Sequence, residues 1–274
     1  MSPAATLRDV FAWGPDATGS TRAAGLLRIG LAAVALIRFG PELAPFAAET
    51  RSGLLLGLGF FLVAACALVG LRARLSIGLL GATIMGLYAL TQAGLGLAGW
   101  NHHHVYILGI GCLFLSLTDC GRSYAHDRWR ALQAGGPAPP EHGALLGQRL
   151  IALQMSALYF WTAVDKTDPA FLSGERLERI FVWSYQGRAL EALLDAPWLL
   201  AAMSIAVVAA EYVLAVAILS RRWLKPAVVL GLGLHAAFYL MLPVSTYSAT
   251  MMVLYLALLD PEAVRRFTDR MQAP

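Results

Sequence analysis

Apolar residues fall along this chain in long unbroken blocks, not in the alternating runs of half-buried strands or the narrow stripes of surface helices. Eight blocks stand out, at about 23–41, 53–70, 75–98, 103–119, 145–164, 197–219, 224–242 and 245–260. A helix needs roughly 20 apolar residues to cross the hydrocarbon core, and it satisfies its backbone groups internally, as lipid demands. The blocks therefore predict spanning helices, of which the fourth and eighth are short enough to be tilted or partly enclosed. Between them, residues 121–144 are polar, rich in Gly and Pro, and read as a loop. Residues 174–194 mix charges with Leu177, Ile180, Phe181, Trp183 and Leu190. They predict an amphipathic helix lying in the outer interface, with Ser173 as its N-cap and Glu175 in its first turn. The expected fold is an all-α integral membrane protein: one domain over 1–274, a bundle of about eight transmembrane helices with an outer interfacial amphipathic helix, and no separate soluble domain.

Composition agrees. Of 274 residues, 58% are hydrophobic and only 14% charged, too few charges for a water-facing surface of this size. The net charge of +4 is carried almost wholly by arginines near block ends, which is how membrane proteins set orientation and not how a nucleic-acid groove looks. With eight spans and a cytoplasmic N-terminal segment (1–22), twelve arginines fall on inner segments: Arg8, Arg22, Arg72, Arg74, Arg122, Arg128, Arg130, Arg221, Arg222, Arg265, Arg266 and Arg270. Five basic residues fall on outer ones, namely Arg51, Lys166, Arg176, Arg179 and Arg188. Both termini and the 121–144 loop are thus expected in the cytoplasm of an inner (plasma) membrane. Cys66, Cys112 and Cys120 form no CxxC pair, so neither a disulfide scaffold nor a thiol redox motif is expected. The first 22 residues lack the apolar core of a signal peptide.

Unusual residues gather at two block ends on the predicted outer side. One cluster is Trp100-Asn101-His102-His103-His104, entering the fourth block with Tyr106 three residues past His103; the other is Tyr159 through Pro169, containing Trp161, Asp165, Lys166 and Asp168. Lys166 is one of only two lysines, with Lys225. It reads either as an interfacial lysine that snorkels to water beside Asp165 or Asp168, or as an amine held out of water, which can serve as a base. Consecutive histidines point about 100° apart, so no metal site is expected among them. Arg28, Arg38, Glu211 and His235 lie inside apolar blocks, where polar groups face the bundle interior, paired or functional. Glu211 with Arg28 or Arg38 is the expected structural ion pair. Asp119 ends the fourth block, roughly 24 Å along the helix from His103, and belongs to the inner side.

The run WNHHHVYILGIGCLFLSLTD followed by YFWTAVDKTDPAFLSGERL resembles the horizontally transferred transmembrane (HTTM) domain, the membrane part of vitamin K-dependent gamma-carboxylase and its bacterial relatives. The likeness extends loosely along nearly the whole chain, including Arg28 and His235. It implies a lysine base, Lys166, that deprotonates reduced vitamin K or menaquinol, and an assisting histidine, His103, with His102 and His104 as alternative registers. It implies Trp100, Asn101, His104, Tyr106, Tyr159 and Trp161 around the quinone, and Asp165, Asp168, Arg28, Glu211 and His235 in support. The sequence closes at Pro274 soon after the last block, so the carboxylase's large soluble domain is not expected within it. The leading expectation is a quinol-dependent, carboxylase-like enzyme whose partners are the bilayer, an isoprenoid quinone and a peptide or separately encoded soluble protein. The alternative is a non-catalytic maturation factor for a secreted peptide or partner. A transporter is disfavoured, because no half-to-half repeat is visible.

Overall fold

The computed structural model describes residues 17–45, 48–94, 103–135, 137, 139–187, 190–220 and 222–272, with His103 and Gln272 as backbone only. Each of the eight apolar blocks falls on helix: α1 (Arg22–Phe39), α2 (Arg51–Val69), α3 (Ala73–Gln92), α4 (His103–Leu115), α6 (Leu146–Lys166), α9 (Pro197–Ala217), α10 (Leu224–Met241) and α11 (Ser245–Leu254). Four of these, α2, α3, α9 and α10, are long and apolar enough to cross a membrane. Helix α4 has 13 residues, and α11 has 10 before it tightens into a 3-10 turn at Tyr255–Leu258. The exposure of large apolar side chains on these helices, Leu62 and Leu58 on α2 and Val216 on α9 among them, is what a lipid-facing surface presents and a water-facing one avoids.

Between the apolar helices lie α5 (His126–Gln133), α7 (Pro169–Leu172), α8 (Glu175–Tyr185) and a closing helix α12 (Pro261–Gln272). Four expectations are corrected here. The fold is nearly but not wholly α: β1 (Thr18–Ser20) pairs antiparallel with β2 (His142–Ala144), Thr18 opposite Ala144 and Ser20 opposite His142. Strands of three residues are too short to show alternation. The 121–144 segment is not all loop, since α5 occupies its middle. The 174–194 helix is shorter than expected: α8 ends at Tyr185, Gly187 takes φ +75°, and a separate 3-10 turn spans Glu191–Asp195. Ser173 does not cap α8. Its hydroxyl donates back to the Ala170 carbonyl at 3.2 Å, and the position before the helix is Gly174.

The described residues group into two compact units, one of Ala152–Ser248 and one that runs up to Ile151 and resumes at Ala249. In the latter, α3 packs along α4 and α2, and α2 along α1. Gly81 faces the Gly109 carbonyl so closely that a Cβ there would lie 2.8 Å from it, the small-residue contact that lets membrane helices approach. Buried Arg28 on α1 donates to the carbonyls of Cys120, at 2.8 Å, and Tyr124, at 2.6 Å. Arg22 ties the start of α1 to Glu141 at 2.8 Å and to Asp269 of α12 at 2.6 Å. Burial opposes the Arg22 charge, but the bonds to Glu141 and Asp269 outweigh it and raise the guanidinium's pKa. Asp119 pairs with Arg122 at 3.0 Å and accepts the Ala144 N–H at 3.2 Å, which joins the turn after α4 to β2.

In the unit Ala152–Ser248, α9 and α10 form a hairpin, and α7 and α8 pack on the first half of α9. Gly174 makes that packing feasible. Its φ of +86° suits glycine, and a Cβ would sit 2.6 Å from the Ala201 nitrogen. Asp168 caps α7 by accepting the Phe171 N–H at 3.0 Å. Tyr185 fastens the end of α8 by donating to the Met241 carbonyl at 2.6 Å.

Candidate functional site

Three helices of the Ala152–Ser248 unit bring ionisable side chains together out of water. Helix α6 supplies Tyr159, Thr162 and Lys166, α9 supplies Glu211, and α10 supplies His235. Ser156 bonds the Ala215 carbonyl and Lys166 the Glu211 carboxylate, so order on α6 reverses on α9 and the helices run antiparallel. Ten positions on α6 answer to only four on α9. The crossing of the helices and the length of the lysine side chain take up the difference, as helical side chains lean toward their own N-terminus.

That geometry settles where the lysine points. Glu211 lies fourteen residues into α9, roughly 21 Å from its start at 1.5 Å per residue, and only six from its end. Lys166 closes α6, yet its amine turns back from that end toward a carboxylate that is 1% exposed. The lysine side chain keeps 24% of its surface accessible, and the Phe171 ring centroid lies 5.9 Å from Nζ. The Thr162 hydroxyl lies beside the same carboxylate, whose second oxygen, Oε2, is buried with no hydrogen-bond partner among the described residues.

A second pair sits alongside. The Tyr159 hydroxyl and His235 Nε2 share a hydrogen bond of 2.6 Å, with both side chains fully buried. The rings of Tyr247 and Phe238 close on the imidazole at 5.2 and 5.7 Å. Lys166 is within electrostatic range of His235, so both pairs belong to one cluster. Next to it, Thr167 and Tyr212 bring their hydroxyls to 3.1 Å, and Phe160 meets the Tyr212 ring edge-on at 6.4 Å. From Tyr212 an apolar groove of about 680 Å³ runs between α9 and α10, past Val213, Val216 and Leu230 to Trp223.

Of the residues singled out in the sequence, Lys166, Glu211, Tyr159 and His235 come together. The expected ionic partners are corrected. Glu211 is matched with Lys166, not with an arginine: Arg28 is committed to two carbonyls, and Arg38 pairs with Glu42. Lys166 is matched with Glu211 rather than Asp165 or Asp168, because Asp168 caps α7 and pairs with Arg176 at 3.1 Å. Asp165 and Trp161 are exposed. In the other unit, Tyr106 lies against the Tyr88 ring at 6.3 Å and His104 is half-buried. Trp100, Asn101 and His102, together with the His103 side chain, lie outside the described residues. Sequence reasoning passed over Tyr212 and Thr162. The available signal was proximity, since Tyr212 directly follows an intramembrane glutamate and Thr162 lies one helical turn before Lys166. Among the described residues no three His, Cys, Asp or Glu side chains gather as a metal would require.

The sequence profile of the HTTM domain matches residues 43–262. Comparison with curated proteins and with solved structures returns no match.

Proposed function

We propose a function on the premise that the profile match supplies: this chain belongs to the HTTM domain family, the membrane-domain family of vitamin K-dependent carboxylase-like proteins. On that footing it is a membrane enzyme that uses a reduced isoprenoid quinone, vitamin K or menaquinol, with Lys166 as the base. One observation carries the reading. The Lys166 amine, on a side chain with 24% of its surface accessible, turns back from the helix end and is set against a buried carboxylate. A lysine whose only task was to mark the interface would extend to water.

The surroundings suit such a cofactor. Thr167 and Tyr212 offer hydroxyls, Phe171 and Phe160 offer rings, and the groove that begins at Tyr212 is lined by apolar side chains. A bound quinol supplies an acidic O–H and the electrons for oxygen chemistry. Lys166 would take that proton at Nζ, Tyr212 and Thr167 would orient the polar ring, and the apolar walls would exclude water. The eight-span arrangement belongs to the same proposal, with cytoplasmic termini in an inner membrane and the end of α6 outward. The eight helical blocks and the arginine distribution support it.

A second reading, a non-catalytic holder of a secreted peptide or partner protein, draws on α8, where Val182 and Trp183 are 41% and 78% exposed. One preparation separates the two. Protein purified from membranes is extracted and analysed by mass spectrometry, wild type beside Lys166→Ala. The enzymatic reading expects quinone in the first and its loss in the second. No quinone in either favours the holder.

A further inference from the structure

Resting on the assignment of Lys166 as the base, we infer that Glu211 is the internal proton acceptor that makes the amine available. A lysine with a permanent positive charge cannot accept a proton, so something must take the first one. Water is the usual recipient at a surface. Here the amine is three-quarters shielded and its polar neighbour is the Glu211 carboxylate, itself 1% exposed. Taking an ammonium and a carboxylate out of water carries a desolvation penalty on each ion that their mutual attraction must repay. Passing one proton from Nζ to the carboxylate removes both charges at once.

The step balances within the pair. An N–H bond of the ammonium breaks, an O–H bond forms on Glu211, and no electrons or outside reactants are needed. The net charge of the bundle stays constant, so no ion has to enter or leave. The groups facing the pair are compatible with this. Thr162 stands beside the carboxylate, and Tyr159 and His235 are bonded to each other, as are Thr167 and Tyr212. Of the carboxylates that flank Lys166 in sequence, Asp165 is exposed and Asp168 is paired with Arg176. Glu211 acts through Lys166 and is therefore a positioning residue: it holds a proton and aims the amine.

The chain contains only two lysines, Lys166 and Lys225, which makes the test direct. Full-length protein labelled with ε-15N-lysine and reconstituted in lipid nanodiscs gives two side-chain nitrogen signals, assigned with Lys166→Arg. At neutral pH we expect Lys166 as a neutral amine and Lys225 as an ammonium. The infrared spectrum of the same sample should contain the carbonyl band of a protonated carboxylic acid. Glu211→Gln should remove that band. Lys166→Arg should also remove it, because arginine cannot give up its proton and holds Glu211 as carboxylate. Should Glu211→Gln fail to fold, the wild type and Lys166→Arg decide alone. An ammonium signal from Lys166, or no acid band sensitive to the substitutions, overturns the inference. If both signatures are present but a menaquinol added to the nanodiscs is left untouched, it is the assignment of Lys166 as base that fails, and the shared proton stands.

Discussion

Two of the basic side chains withdrawn from water among the described residues, Arg28 and Lys166, are answered differently. Arg28, in the unit that holds α1 to α5, is fully buried and faces two backbone carbonyls, those of Cys120 and Tyr124. Lys166, in the unit Ala152–Ser248, faces a carboxylate. An arginine keeps its proton under all ordinary conditions, and carbonyl oxygens have no proton to exchange, so the first arrangement can only hold a loop in place. Its form agrees: the turn after α2 passes under the guanidinium at Gly70, where φ is +77° and a Cβ would lie 2.6 Å from Nη1, and Tyr124 adopts φ +51° to present its carbonyl. A lysine against a glutamate can trade a proton. The contrast teaches that the partner's chemistry, more than burial itself, separates a structural charge from a reactive one.

The comparison breaks hardest at Arg28. Arg28→Met leaves one buried and one part-buried carbonyl without this donor, at roughly 1–3 kcal/mol each, and should lower stability by about 3 kcal/mol, read as a fall in the thermal midpoint of nanodisc-held protein. Gly174→Ala follows at about 2 kcal/mol, because it combines a strained φ with a clash against Ala201; the shift in midpoint measures it. At the Lys166 pair the effect should be smaller and non-additive. Lys166→Met with Glu211→Leu replaces two polar groups by apolar ones, a change that is often neutral or stabilising. The double variant should lie within about 1 kcal/mol of wild type and above either single one, as a mutant cycle would reveal. The smallest effect is kinetic. Burial pushes the Cys120 thiol up to about 11, so at pH 8 it stays protonated and should resist iodoacetamide until Arg28→Met loosens the turn. Peptide mapping by mass spectrometry reports this.

The helices were legible because lipid constrains sequence so strongly: each continuous block landed on a helix, and four of these are long and apolar enough to cross a membrane. Arg28 was visible as an intramembrane charge, but its partners were not, since backbone carbonyls carry no residue signature. Glu211 and Lys166 were both conspicuous, yet their pairing was hidden. Each was matched with chemically sensible neighbours, Arg28 or Arg38 for one and Asp165 or Asp168 for the other. The actual contact spans 45 positions and depends on the lysine reaching back along its own helix. The β1–β2 ribbon was too short for any period to register. Gly174, by contrast, stood in the motif with its reason unstated, and the close approach of α9 supplies it.

The central claim is that Lys166 accepts a proton from a quinol. Its most direct test is the rate at which protein in proteoliposomes oxidises menaquinol under oxygen, wild type against Lys166→Arg, with both shown to be folded. Arginine keeps its proton and cannot act as the base, so the account predicts a loss of at least about 100-fold, the lower end of what general base catalysis contributes. Equal rates from the two proteins would contradict it.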